Sequence, residues 1–255
     1  MEELYTTWKA IGVAGGDLSF FQDFFVKFYQ AFIEGDRWLQ YLNGVKTTLL
    51  VTALALILGI VLGVLVAMLR TAHDQQRPGH RNPILAVLNL ICKVYVTVIR
   101  GTPMMVQLLI MGFVIFASSR NFTMIGTLTL GINSGAYVAE IIRGGLMSLD
   151  PGQMEAGRSL GLGYLPTMTF IVVPQAFKAI LPALGNEFIT LLKDTSLISA
   201  IAGKEVVYFA KAIGAKTYDY MFPLLIIAVM YLILVLIFTW LQGILERRLR
   251  ASDRR

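Results

Sequence analysis

Between Lys46 and Arg70 the chain carries no charged side chain, and residues 47–69 read TTLLVTALALILGIVLGVLVAML. At about 1.5 Å of rise per residue, a helix of that length crosses the roughly 30 Å hydrocarbon core of a bilayer. No water is available there to satisfy backbone N–H and C=O groups, so the segment must close its own hydrogen bonds as an α-helix. Further long apolar segments follow at residues 84–118, 122–139, 175–201 and 222–245. The expected fold is all-α, a polytopic membrane helix bundle with about five transmembrane helices. Composition agrees, because 56% hydrophobic with only 15% charged residues is outside the range of soluble domains.

The net charge of +6 does not point to nucleic acid. The basic residues gather in the loop RTAHDQQRPGHRNP, with Arg70, Arg77 and Arg81, and in the tail ERRLRASDRR, with Arg247 and Arg248. Excess Arg and Lys mark cytoplasmic segments. Five spans with the N-terminus outside and the C-terminus inside put both segments in the cytoplasm. His73 and His80 lie seven apart in that polar loop; a metal site needs more ligands, so both are expected to be solvated. Cys92 is the only cysteine, which excludes an intrachain disulfide. The start, Met-Glu-Glu, lacks the basic n-region of a cleavable signal peptide.

Three regions are expected. Residues 1–40 are an amphipathic extension, in which Phe21, Phe24, Phe25, Phe28 and Phe32 share a helical face suited to the membrane interface or to a partner. Residues 41–247 are the membrane domain, and residues 248–255 are a basic cytoplasmic tail. Within the domain, Gly59 and Gly63 form a G-x-x-x-G that permits close helix packing, or dimerisation. Lys93 and the run Arg100-Gly101-Thr102-Pro103 interrupt the second span, and such a break marks backbone lining a cavity. The fourth span holds Pro182, Gly185, Glu187, Lys193 and Asp194, which lipid does not tolerate, so protein or a wet cavity must shield it. Residues 204–220 read as an outer loop.

Residues 150–174, DPGQMEAGRSLGLGYLPTMTFIVVP, are a short polar, Gly-rich stretch between long apolar runs. Pro151 and Gly152 suit a turn, with Asp150 as a cap for a short helix. Glu155 falls in its first turn, where the helix dipole favours a negative charge. Ala156, Gly157, Gly161 and Gly163 are small enough to let it lie against a partner's backbone. The pattern Glu155-Ala156-Gly157, then Gly161, then Ile171 and Pro174, resembles the EAA loop of ABC importer permeases. Gly157 stands where that family has a second Ala, and Val173 where it has Leu. The resemblance implies a cytoplasmic coupling helix on which separate ABC ATPase subunits dock. Gln153, Glu155, Ala156, Gly157, Ser159, Leu160 and Gly161 are the residues it assigns to that surface.

VIRGTPMMVQLL, INSGAYVAEIIRGGLMSLDPGQMEAGRSLG and VPQAFKAILPALGNEFITLLKDTSLIS are similar to the polar-amino-acid branch of that family, a likeness covering roughly residues 41–247. It implies a multi-pass permease of a bacterial or archaeal cytoplasmic (inner) membrane. The implied partners are ATPase subunits that bind ATP and Mg, a second permease copy or paralogue, an extracytoplasmic amino-acid-binding protein and the lipid bilayer. This chain itself needs no cofactor. An amino acid presents an ammonium, which Asp194 suits, and a carboxylate, which suits the planar fork of Arg100. Gly101, Thr102, Lys193, Thr195, Ser196 and Leu197 complete the candidate substrate site. Lys193 and Asp194 pairing within the bundle is the structural alternative. Glu140 and Arg143, three apart on one helix face, are assigned to structure or gating, and Tyr137 to packing. Gly214-Ala215-Lys216-Thr217 lacks the Gly-Lys-Thr adjacency of a phosphate loop, and no nucleophile–base pair or metal set is visible. The chain is therefore read as a non-enzyme. An ion-coupled or passive transporter is the alternative, although it has no use for an EAA loop.

Overall fold

The computed structural model describes residues 1–76 and 82–252. Arg77, His80, Arg81 and the end of the basic tail lie outside the described residues. The helices are α1 (Glu2–Val13), α2 (Phe20–Phe32), α3 (Arg37–Asp74), α4 (Pro83–Gly101), α5 (Met104–Ile110), α6 (Phe122–Met147), α7 (Gly152–Ser159), α8 (Tyr164–Thr167), α9 (Val173–Asp194), α10 (Val206–Thr217) and α11 (Met221–Ser252). Five helical segments among the described residues are long and apolar enough to cross a membrane: 34–74, 83–101, 122–147, 164–201 and 221–249. Their outward faces, with Leu54, Ile57, Val61, Leu232, Ile233 and Leu236 exposed, present hydrocarbon where a soluble protein presents charge.

The centre of the bundle is the α3–α6 pair. A Cβ on Gly59 would sit 2.7 Å from Ser134 Oγ, and one on Gly63 would sit 2.5 Å from Val138 Cγ1. The G-x-x-x-G pattern therefore packs inside this chain, bringing two backbones together where lipid offers no hydrophobic drive. Around this pair Val51, Ala55, Leu108, Ile125, Leu130, Leu191 and Ile198 form one buried cluster.

The second apolar run breaks where Pro103 removes a donor and the Gly-Thr pair unwinds the chain. Gln107 bridges the break: its Nε2 donates to Ile99 O at 2.8 Å and to Thr102 Oγ1 at 2.9 Å. The expected outer loop at 204–220 is instead mostly helical, as α10, because Glu205 caps it from within the core. His73 is also not solvated. Its side chain is 14% exposed and lies 3.1 Å from Asn89 Nδ2 of α4. Asn121, first of an Asn-Phe-Thr triplet, caps α6 by accepting from Met124 N–H at 3.1 Å.

At the N-terminus α1 and α2 form a hairpin. Tyr5 stacks on Tyr29 at 4.2 Å, and Lys9 pairs with Glu34 at 2.8 Å. Phe24 of α2 meets Phe222 at 4.9 Å, seating the hairpin at the start of α11.

Candidate transport site and coupling surface

The segment between α6 and α9 folds from its own sequence signals. Asp150 Oδ1 accepts from Gly152 N–H at 2.8 Å in the turn before α7, whose capping position is held by Pro151 and not by Asp150 as expected. The helix stops after two turns because Gly161 takes φ +79°. Leu162 N–H then reaches Gly157 O at 3.0 Å and Gly161 N–H reaches Arg158 O at 2.9 Å, the paired bonds of a Schellman motif. Gly157 is buried, and a Cβ there would lie 2.4 Å from Thr167 Cγ2. Its small size thus serves the contact between α7 and α8 within the chain. Gln153 also faces inward, accepting from Gln175 Nε2 of α9 at 3.1 Å. Ser159 Oγ donates to Glu155 O in its own helix at 3.0 Å. Tyr164 hydroxyl donates to Gln75 Oε1, tying the segment to the end of α3. Glu155, Ala156, Ser159 and Leu160 are left exposed on one side, with Leu165 and Phe170 beyond them.

A second group gathers on α3, α4 and α6. The three-residue spacing of Glu140 and Arg143 places both on one helix face, and they pair at 3.1 Å. Arg70 reaches the other oxygen of the same carboxylate. Arg100 approaches Glu140 at 3.7 Å and lies over the ring of Tyr137, 5.3 Å from its centroid. Tyr137 is exposed, and its ring carries the Arg100 guanidinium in a contact between α6 and α4. Gly101 is exposed, and Thr102 Oγ1 donates to Val98 O at 2.8 Å.

The third group is the end of α9. The helix tightens into a 3-10 turn at Thr195–Ile201. Thr195 is buried and donates to Leu192 O at 2.7 Å. Lys193 is exposed, Asp194 and Ser196 are half-buried, and Leu197 packs on the central cluster. Lys193 and Asp194 form no ion pair, and no hydrogen bond or ion pair joins Arg100 to this segment among the described residues.

These two features, a short exposed helix between spans and charged groups held inside them, are accompanied by a sequence match. Residues 84–251 match the family described as binding-protein-dependent transport system inner membrane component. The chain belongs to this family. A putative glutamine transport system permease protein of Rickettsia typhi is 34% identical over 229 residues, covering 89% of this chain and 97% of its own length. The arginine transport system permease protein of Bacillus subtilis is 37% identical over 185 residues, covering 67% of this chain and 84% of its own. Among solved structures, an amino acid ABC transporter crystallised with histidines superposes with a TM-score of 0.74 at 39% identity, over 82% of this chain and 94% of the other. The MetNI methionine ABC transporter in an inward-facing conformation, at 20% identity and TM-score 0.68, shares the fold. The chain is thus a multi-pass inner-membrane permease component, and its system includes an ATPase and a binding protein. It is not itself the catalytic subunit.

Sequence reasoning missed one permease residue that the structure singles out. Glu205 has no exposed surface. It accepts from Val207 N–H at 2.9 Å, from Tyr208 N–H at 3.0 Å and from Tyr231 Oη at 3.2 Å. Tyr231 Oη in turn lies 3.5 Å from Thr195 Oγ1. Burial pushes the Glu205 carboxyl up to about 7 despite those bonds. The signal in the sequence was an acid just before an apolar helical run, the mark of a cap.

Proposed function

We propose that this permease carries amino acids inward, as half of a two-permease pathway driven by two ATPase subunits. The observation that carries the coupling role is the exposed side of α7, Glu155, Ala156, Ser159 and Leu160, held rigid by the Schellman stop and by the inward contacts of Gly157 and Gln153. In this reading ATP-driven closure of the ATPases moves α7, and Gln75 and Gln175 transmit the shift to α3 and α9. The spans then exchange between inward- and outward-open states, a population shift driven by binding. The relatives named for glutamine and arginine, and the solved amino acid transporter, support an amino-acid cargo.

In the same reading residues 41–247 are the permease domain, the N-terminus lies outside and the C-terminus inside. An extracytoplasmic binding protein delivers the solute to the outer face, near α10. Arg100, Gly101 and Thr102, with Thr195 and Ser196, serve the solute carboxylate, Asp194 serves its ammonium, and Lys193 and Leu197 complete the site. Purifying the chain with candidate ATPase subunits, and measuring ATP hydrolysis across a panel of amino acids with their binding protein, tests the assignment. Stimulation by one amino acid class is expected. Co-purification without stimulation by any of them contradicts the cargo, and failure to co-purify contradicts the coupling.

A further inference from the structure

Around Glu140 the cations outnumber their counter-ions. Arg70, Arg100 and Arg143 share its single carboxylate, and Lys93 opens onto the same cavity. Four cations against one anion leave three positive charges within segments that cross the membrane. Charge of this kind is expensive in a span and is retained where a partner or wet cavity balances it. The cavity measures about 350 Å3 and is lined by Arg70, Lys93, Val96, Thr97, Arg100 and Glu140. Among the described residues Lys93 and Thr97 make no side-chain hydrogen bond or ion pair. Arg100 touches Glu140 only at 3.7 Å, while the Tyr137 ring holds its guanidinium in place. An ammonium and a hydroxyl without a partner among the described residues, and a planar fork held only at 3.7 Å from Glu140, therefore face one opening.

We propose that Lys93, Thr97 and Arg100 form a subsite for an oxyanion, the carboxylate of the transported solute, with the Arg70–Glu140–Arg143 ion-pair group as its base. The identity of the solute rests on the importer reading; the preference for an anion does not. A guanidinium fork and a nearby ammonium are the donors that carboxylates take bidentately and at long reach. Glu140 cannot take over as the acceptor for all of them, because Arg70 and Arg143 already occupy both its oxygens. A phospholipid phosphate offers the same oxygens, and the test separates the two sources.

The assembled permease–ATPase complex is held in phosphatidylcholine nanodiscs, with Thr97→Cys in a Cys92→Ala background. Lys93→Cys in that background is a second reporter. Each thiol is reacted with sulfonatoethyl and trimethylammonioethyl methanethiosulfonate, and the ratio of rates is referred to that of a free thiol. The anionic reagent is expected to be favoured about tenfold, and adding Arg100→Gln should bring the ratio close to that of the free thiol. One or more of the standard L-amino acids, and not its carboxamide, should slow the anionic reagent. No anion preference at either reporter overturns the subsite. Anion preference that responds to added phosphatidylglycerol and to no amino acid overturns the solute carboxylate in favour of a lipid headgroup. Protection by an amino acid in a complex that fails to transport it leaves the subsite standing and removes the importer reading. Uptake without anion preference does the reverse.

Discussion

Gly161 separates two explanations of the coupling segment. Its φ of +79° lies in the left-handed region, and a Cβ there would meet nothing within 4 Å in this chain. The constraint is the backbone, since the Schellman bonds to Gly157 O and Arg158 O need that conformation. Gly161→Ala places an L-residue there at a cost of about 1–2 kcal/mol. Asn visits the region far more readily, so Gly161→Asn should cost less than half as much. If the strain is released by deforming the end of α7, ATPase docking weakens, by about tenfold for Ala and about threefold or less for Asn. Titrating ATPase subunits onto nanodisc-held permease gives the affinities, and uptake per ATP gives the coupling. An account based on room at the partner's backbone ranks the variants the other way, because Asn is the larger side chain. Asn weaker than Ala, or both equal to Gly, would refute the conformational argument.

Other outcomes follow from the same structure. Gly157→Ala should loosen the α7–α8 contact by about 1–3 kcal/mol, and Thr167→Ala should recover part of it; a double-mutant cycle in thermal stability that is purely additive contradicts the contact. Glu205 has a folded pKa raised from 4.5 to about 7, so its contribution is complete below pH 4.5 and lost as pH rises through 7. Stability should fall by roughly 3 kcal/mol across that window, and Glu205→Gln should flatten the slope in pH-dependent melting. Asp194→Asn should lower uptake per folded complex about tenfold through loss of a charge-assisted bond, with an unchanged melting temperature; the opposite pattern moves Asp194 to the scaffold. In a Cys92→Ala background, a cysteine at Gln76 should label from the cytoplasmic side and one at Tyr218 from outside. Reversed labelling overturns the orientation.

The spans were legible because hydrocarbon imposes a length and a polarity that a reader can recognise, and the break at Pro103 was legible because proline has no N–H. The start of α7 was equally local, written in Asp150 and Gly152. What depends on distant residues was not. The contact of Gly157 with Thr167 is one such case, invisible in the spacing of the segment. Residues 204–220 looked like a loop, whereas Glu205 caps α10 through the N–H groups of Val207 and Tyr208 and takes a third bond from the distant Tyr231 hydroxyl. The pairing of Glu140 with Arg143 is written in their spacing, but Arg70 lies seventy residues away and reaches it only through the α3–α6 contact.

ATP-driven uptake tests the account most directly. Radiolabelled L-glutamine, L-arginine and L-cystine are offered, with their binding proteins, to proteoliposomes holding this permease with and without its ATPase subunits. Accumulation against a gradient that needs ATP, the ATPase subunits and an intact α7 is the predicted result. Equal flux without the ATPase subunits, dissipating with the gradient, would make the chain a passive or ion-coupled path and contradict the coupling role of α7.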